Sequence, residues 1–154
     1  MIRLPALRAL FLLPILCLAL VLATPAQARK VDFGDYEVHY SVFPSTFLLP
    51  EVAAANNIPR SRSIGIVNIA IMIKDPEHGG IRPVNGQVEG NVTNQVQQLR
   101  RLGFRRIHEG PNAIYFIAEY QYRDGELLTF QIRARPTGQE EALPIRFSHA
   151  LYND

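Results

Sequence analysis

The chain reads as an all-β domain, an immunoglobulin-like antiparallel sandwich of about seven strands with one or two short helices; a small β-barrel is the alternative. Three observations carry this. About seven short segments alternate apolar and polar residues at a period of two. The stretches between them are rich in Gly, Pro, Asn and Asp, the residues of turns. The longest alternating stretch, 112–135, is split by Asp124-Gly125, a strong short-range hairpin signal.

Residues 1–28 stand apart. Arg3 and Arg8 form a basic start, an apolar run fills residues 9–23, and Ala26-Gln27-Ala28 is an A-x-A site. This reads as a secretory signal peptide cut between Ala28 and Arg29, with periplasmic export as the consequence. Pro14 and the shortness of the run argue against a spanning anchor. The expected mature domain is residues 29–154, or 126 of the 154 residues, enough for one core. Its lack of cysteine excludes disulfides and thiolate chemistry, because Cys17 lies in the leader. Taking Arg3 and Arg8 from the 16 basic residues leaves 14, which balances the 14 acidic ones. That balance, with export, speaks against nucleic acid as a partner.

In order, residues 29–34 read as a loose lead-in. Tyr36, Val38, Tyr40 and Val42 then alternate with Glu37, His39 and Ser41 as a half-buried strand that stops at Pro44. No strand period survives from 48 to 63, where Pro50–Asn56 reads as a short helix. Ile64–Lys74 is apolar on both faces, the mark of a central strand. Val84, Gly86, Val88, Gly90 and Val92 form the inward row of the next strand. Asn94 looks like the cap of a second helix, Gln95–Leu102, with Gly103 after it. Phe104–His108 reads as a brief strand. The stretch at 112–135 reads as a long hairpin with Phe116, Ala118, Tyr120, Tyr122, Leu128, Phe130, Ile132 and Ala134 inward. Ile145, Phe147, His149 and Leu151 close the chain as the last strand.

Chemistry is sparse. His39, His78, His108 and His149 share no metal-ligand spacing, so neither metal nor cofactor is expected. His108-Glu109 is an adjacent acid and base, but strand neighbours point to opposite faces. No serine motif supports a nucleophile, and no catalytic residue is assigned. Arg100, Arg101, Arg105 and Arg106 form a local basic cluster, read first as a solvated surface. The 43–63 stretch is too long for a simple turn and too apolar to be left in water. It should fold back over one open end of the sandwich. Phe47, Leu49, Arg60 and Arg62 within it are the candidate partner surface.

The segments DYEVHYSVFPSTFLLPEVA, RSRSIGIVNIAI, VNGQVEGNVTN and IHEGPNAIYFIAEYQYRDGELLTFQI resemble the exported gammaproteobacterial domain-of-unknown-function family numbered 4426. The resemblance spans roughly residues 31–154. It implies a small β-rich envelope domain and brings no catalytic residues. The favoured function is a non-enzymatic binding or accessory module of the envelope, monomeric and not membrane-spanning after cleavage. Its partner would be an envelope protein, a glycan or a lipid. The alternative is a small hydrolase or lyase using carboxylates and histidine. A histidine within about 4 Å of a carboxylate inside a cleft would favour that alternative.

Overall fold

A computed structural model describes residues 29–153. Residues 1–28, with the expected cleavage site after Ala28, lie outside them. Ten strands form two antiparallel sheets. The first sheet holds β1 (Arg29–Phe33), β2 (Tyr36–Pro44), β3 (Ile64–Asp75), β8 (Ile114–Gln121) and β7 (Arg105–His108), in that order. A short β4 (Gly80–Pro83) also pairs with β3. The second sheet runs β10 (Leu143–Ala150), β9 (Leu127–Pro136), β5 (Gly86–Thr93) and β6 (Leu99–Leu102). The sheets do not close on one another, so the sandwich stands and the barrel alternative falls.

The alternating rows meet between the sheets. Val38, Val67, Ile69, Ile71, Val92, Phe116, Ala118, Leu128, Phe130, Ile132 and Ala134 are all buried there. An aromatic column crosses the core: Tyr40 stacks on Phe147 at 4.4 Å, Phe147 on Phe130 at 4.9 Å, and Tyr120 meets Phe130 edge-on at 5.0 Å. Each contact joins apolar burial to a favourable ring geometry.

Four expectations are corrected. The stretch at 112–135 is not a hairpin. β8 pairs with β3 and β7, while β9 pairs with β5 and β10. The chain passes from one sheet to the other at Asp124-Gly125. Only Gly125 of the two takes positive φ, at 68°, so the turn is not the type I′ that a hairpin favours. Because both apolar rows face the same core from opposite sheets, the arch buries them as fully as a hairpin would.

The second expected helix is also absent. Asn94 does act as a cap, but of a turn: its Oδ1 accepts from the backbone N–H of Val96 and Gln98. Gln97 takes φ 64°, and Leu99–Leu102 then pairs with β5. Residues 29–34, read as loose, form edge strand β1 and turn at Gly34 with φ 70°.

The long stretch after β2 folds onto the outer face of the first sheet, not over an end of the sandwich. The turn Ser45–Phe47 and helix α1 (Pro50–Ala55) lie there. Ala53 and Ile58 are buried against Ile66 and Ile117, with Phe43, Leu48, Ile107 and Tyr115 packed around them. This second small core explains why β3 is apolar on both faces. Buried Ser45 clasps the excursion: its hydroxyl donates to Ser61 O at 3.1 Å and accepts from Ser61 N at 2.9 Å. Asn57, at φ 53°, ends the helix in the left-handed conformation and lets Ile58 N–H reach Ala53 O at 2.8 Å.

Candidate functional site

The helical excursion covers only part of the first sheet's outer face. The uncovered part carries the outward residues of β2 and β3. Alternation puts Glu37, His39 and Ser41 on that face, and the strand register sets Met72, Ala70 and Asn68 opposite them. Pro83 of β4 and residues 112–115, which lead into β8, form the walls. Together they make a groove of about 230 Å³ lined by His39, Ser41, Asn68, Met72 and Tyr115. Ala70 contributes only a methyl group beside His39, and this leaves the imidazole room.

Glu37 is the chemical centre of this face. It is 6% exposed, unusual for a carboxylate, and both its oxygens are engaged. Oε2 lies 2.9 Å from His39 Nε2, and Oε1 accepts from Lys30 Nζ at 3.0 Å. The hydrogen bonds from His39 and Lys30 hold its carboxyl below the usual carboxylate range, so Glu37 is ionised at neutral pH. The same contact raises the Lys30 ammonium above its ordinary value. In the groove that His39 lines, Asn68 Oδ1 is buried without a protein partner. The face therefore offers a carboxylate, an imidazole, an amide oxygen and a thioether, all acceptors or soft donors.

As a catalytic arrangement it is incomplete. A carboxylate and an imidazole at 2.9 Å meet the geometric condition for acid–base work. Ser41 lines the same groove as His39, and no hydrogen bond joins the two among the described contacts. Lys30 keeps Glu37 ionised, which removes it as a proton donor.

Sequence reasoning missed this pair. It tested adjacent residues, such as His108-Glu109, whereas same-face partners on a strand stand two apart. Glu37-Val38-His39 is that signal. Of the other histidines, His78 meets Asp75 at 3.0 Å in an exposed turn. His149 occupies the inward register of β10 opposite Leu128. The arginine cluster disperses: Arg100 donates to Gln121 O at 2.8 Å, Arg105 pairs with Glu119, and Arg106 donates to Asn85 Oδ1 at 2.8 Å. In the excursion, Leu48 is the side chain that plugs the small core. Phe47 and Leu49 face solvent at 73% and 60% exposure. Arg60 donates to Thr46 O at 2.8 Å, and Arg62 is exposed. Arg29 begins β1 at the sheet edge.

The model of a domain-of-unknown-function family, DUF4426, matches residues 30–154. A DUF4426 protein of Pseudomonas aeruginosa PAO1, known from its crystal structure, is 34% identical with a TM-score of 0.70; the match covers 82% of this chain and 96% of that one. FetP of uropathogenic Escherichia coli strain F11, expressed in the periplasm, shares the fold at 8% identity, with a TM-score of 0.59 and 81% and 93% coverage of the two chains. A copper-bound FetP variant matches with a TM-score of 0.56 at 8% identity, covering 80% of this chain and 93% of that one. No curated protein matches the chain. Matched over residues 30–154, the chain belongs to the DUF4426 family.

Proposed function

We propose that the chain is a non-enzymatic binding module of the bacterial periplasm and that the groove beside β2 and β3 takes a copper ion. The observation that carries the reading is the Glu37–His39 pair, 2.9 Å apart, whose imidazole lines a groove that also holds Met72. Imidazole and thioether suit cuprous copper, and imidazole with carboxylate suits the cupric ion. Among the described residues no three His, Cys, Asp or Glu side chains gather as a metal set. The third donor is therefore the thioether of Met72, opposite Glu37 in the register. The expectation of no metal weighed histidine and cysteine spacings and left carboxylate and thioether out. FetP, which shares only the fold, is copper-bound in one variant, and this chain's own donors must carry the argument. Lys30 opposes the ion and must swing from Glu37 Oε1 to admit it. Its 55% exposed side chain has room to do so.

The experiment is a titration of the mature chain with cupric and with cuprous ion. One ion per chain is expected. His39→Ala should weaken both forms at least tenfold, Met72→Leu mainly the cuprous form, and Glu37→Gln mainly the cupric form. Lys30→Met should tighten binding. Unchanged affinity in His39→Ala rules the site out.

A second surface fits the same role toward a protein partner. Phe47 and Leu49 stay exposed although their neighbour Leu48 is partly buried; Arg60 is tied to the same stretch through Thr46 O, and Arg62 is exposed. A hydrolase or lyase reading rests on the same Glu37–His39 contact, which could serve acid–base work.

A further inference from the structure

The outer face of the second sheet differs in character from that groove. Its outward positions follow from register. They are Leu127, Thr129, Gln131, Arg133 and Arg135 on β9; Gln87, Glu89, Asn91 and Thr93 on β5; Leu99 and Arg101 on β6; and Pro144, Arg146, Ser148 and Ala150 on β10. Four arginines thus share one face with a single carboxylate, Glu89, which lies 4.0 Å from Arg133. A depression of about 560 Å³ is bounded by Arg101, Arg133 and Arg146 together with Asn91 and Gln131. At the open edge between the sheets a second, of about 390 Å³, brings Arg106 to Arg133, Arg135 and Glu89 beside Val88 and Phe116. Arg135 Nε is buried there without a partner. In a chain whose mature charge sums to zero, this concentration of one sign is a strong asymmetry.

The face is also amphipathic along its length. Leu99 and Leu127, 60% and 42% exposed, occupy the end where β6 and β9 begin. Val96, in the turn before β6, and Tyr152, just after β10, are exposed at that same end. These are four of the seven large apolar side chains exposed among the described residues. The opposite end, in the loop that follows β9, carries Glu140 and Glu141. Aliphatic tips and a tyrosine therefore lie at one end, arginines in the middle and carboxylates at the far end.

We propose that this face docks on an anionic phospholipid surface, with Val96, Leu99, Leu127 and Tyr152 entering the headgroup layer and Arg101, Arg133 and Arg146 on the lipid phosphates. Arginine forks match phosphate geometry, and the basic residues complement the charge of an anionic leaflet. Arginines alone would fit an anionic glycan equally well. The exposed aliphatic and tyrosine side chains favour lipid, because a glycan offers no hydrocarbon to cover them, whereas tyrosine and leucine settle at a membrane interface. The docking is peripheral: no described helix is long and apolar enough to cross a membrane.

The test is cosedimentation of the mature chain with vesicles of phosphatidylcholine, with and without phosphatidylglycerol. Binding is expected only to the phosphatidylglycerol vesicles, falling at least tenfold in high salt. Arg133→Gln with Arg146→Gln should lower it at least tenfold, and Leu99→Ser with Leu127→Ser by a similar factor. All four side chains are exposed, so thermal melts of both double variants should match the parent. Equal sedimentation with neutral vesicles overturns the proposal. So does wild-type binding by either double variant, or capture by a soluble sulfated polysaccharide with no vesicle binding. Neither the Glu37–His39 groove nor copper enters this assay, so its outcome is independent of the metal reading.

Discussion

At the scale of single residues, His149 and the carboxylates Glu37 and Asp75 shape how the protein answers acid. His149 packs in the inward row of β10, where burial, and then the charge of Arg29, push its pKa below the ordinary value near 6.5. A lowered histidine pKa means that the unfolded chain binds the proton more readily. The stability His149 contributes is therefore present above about pH 6.5 and drains away as pH falls through that value. Glu37 is depressed as well, so its contribution persists through that range and is lost only below the usual carboxylate range. Melting temperature should therefore fall in two steps on acidification. His149→Gln should remove the first step and leave the second. An unaltered profile in that variant would assign the first step elsewhere. The inward place of His149 was legible from the alternation of Ile145, Phe147 and Leu151. The Glu37–His39 contact was equally available at a spacing of two, but what closed the pair was its neighbours. Lys30 comes from edge strand β1, and Met72 lies 35 positions beyond Glu37, joined to it only by register.

At the scale of elements, alternation read the inward rows correctly and pairing partners poorly. Phe116 and Phe130 are buried as expected, yet they belong to different sheets, because period two fixes a face and says nothing of the neighbour. Val96, Leu99 and Leu102 suit a helix by spacing, but the positive φ at Gln97 and the open edge of β5 draw Leu99–Leu102 into a strand. A long-range edge outweighed a local pattern. The end of α1 at Asn56-Asn57 was legible, because left-handed asparagine is a local signal. One element-level requirement is sharp. Gly65 faces Tyr120 across the β3–β8 ladder, and a β-carbon at Gly65 would overlap the Tyr120 ring. The ring lies over the bare backbone and continues toward Phe130. Gly65→Ala should cost about 1–3 kcal/mol in denaturant melts, the usual scale of overpacking. Gly65→Ala with Tyr120→Leu should recover part of that loss. Equal melts for Gly65→Ala and the parent would show that the ring moves aside freely.

At the scale of the whole molecule, the chain divides its surfaces. One sheet wears a helical excursion and a polar groove, and the other presents arginines and aliphatic tips. The sandwich as a class was legible because ten strands leave many alternating traces, even when only seven are counted. The division of surfaces was not legible, since it depends on which strands share a sheet. The arch at Asp124-Gly125 has a consequence for how fast the molecule forms. A hairpin there would have let the two richest strands zip together locally within microseconds. Instead β8 must find Ile64–Ile69, and β9 must find Gly86–Thr93, each across tens of residues. Such loop closures come before any reward in contacts, so stopped-flow refolding of residues 29–154 should take milliseconds to seconds. Microsecond refolding would mean that a local β8–β9 pair forms first and is later broken. Slow closure keeps the chain threadable for longer, which would suit the export proposed for a chain whose residues 1–28 read as a signal peptide.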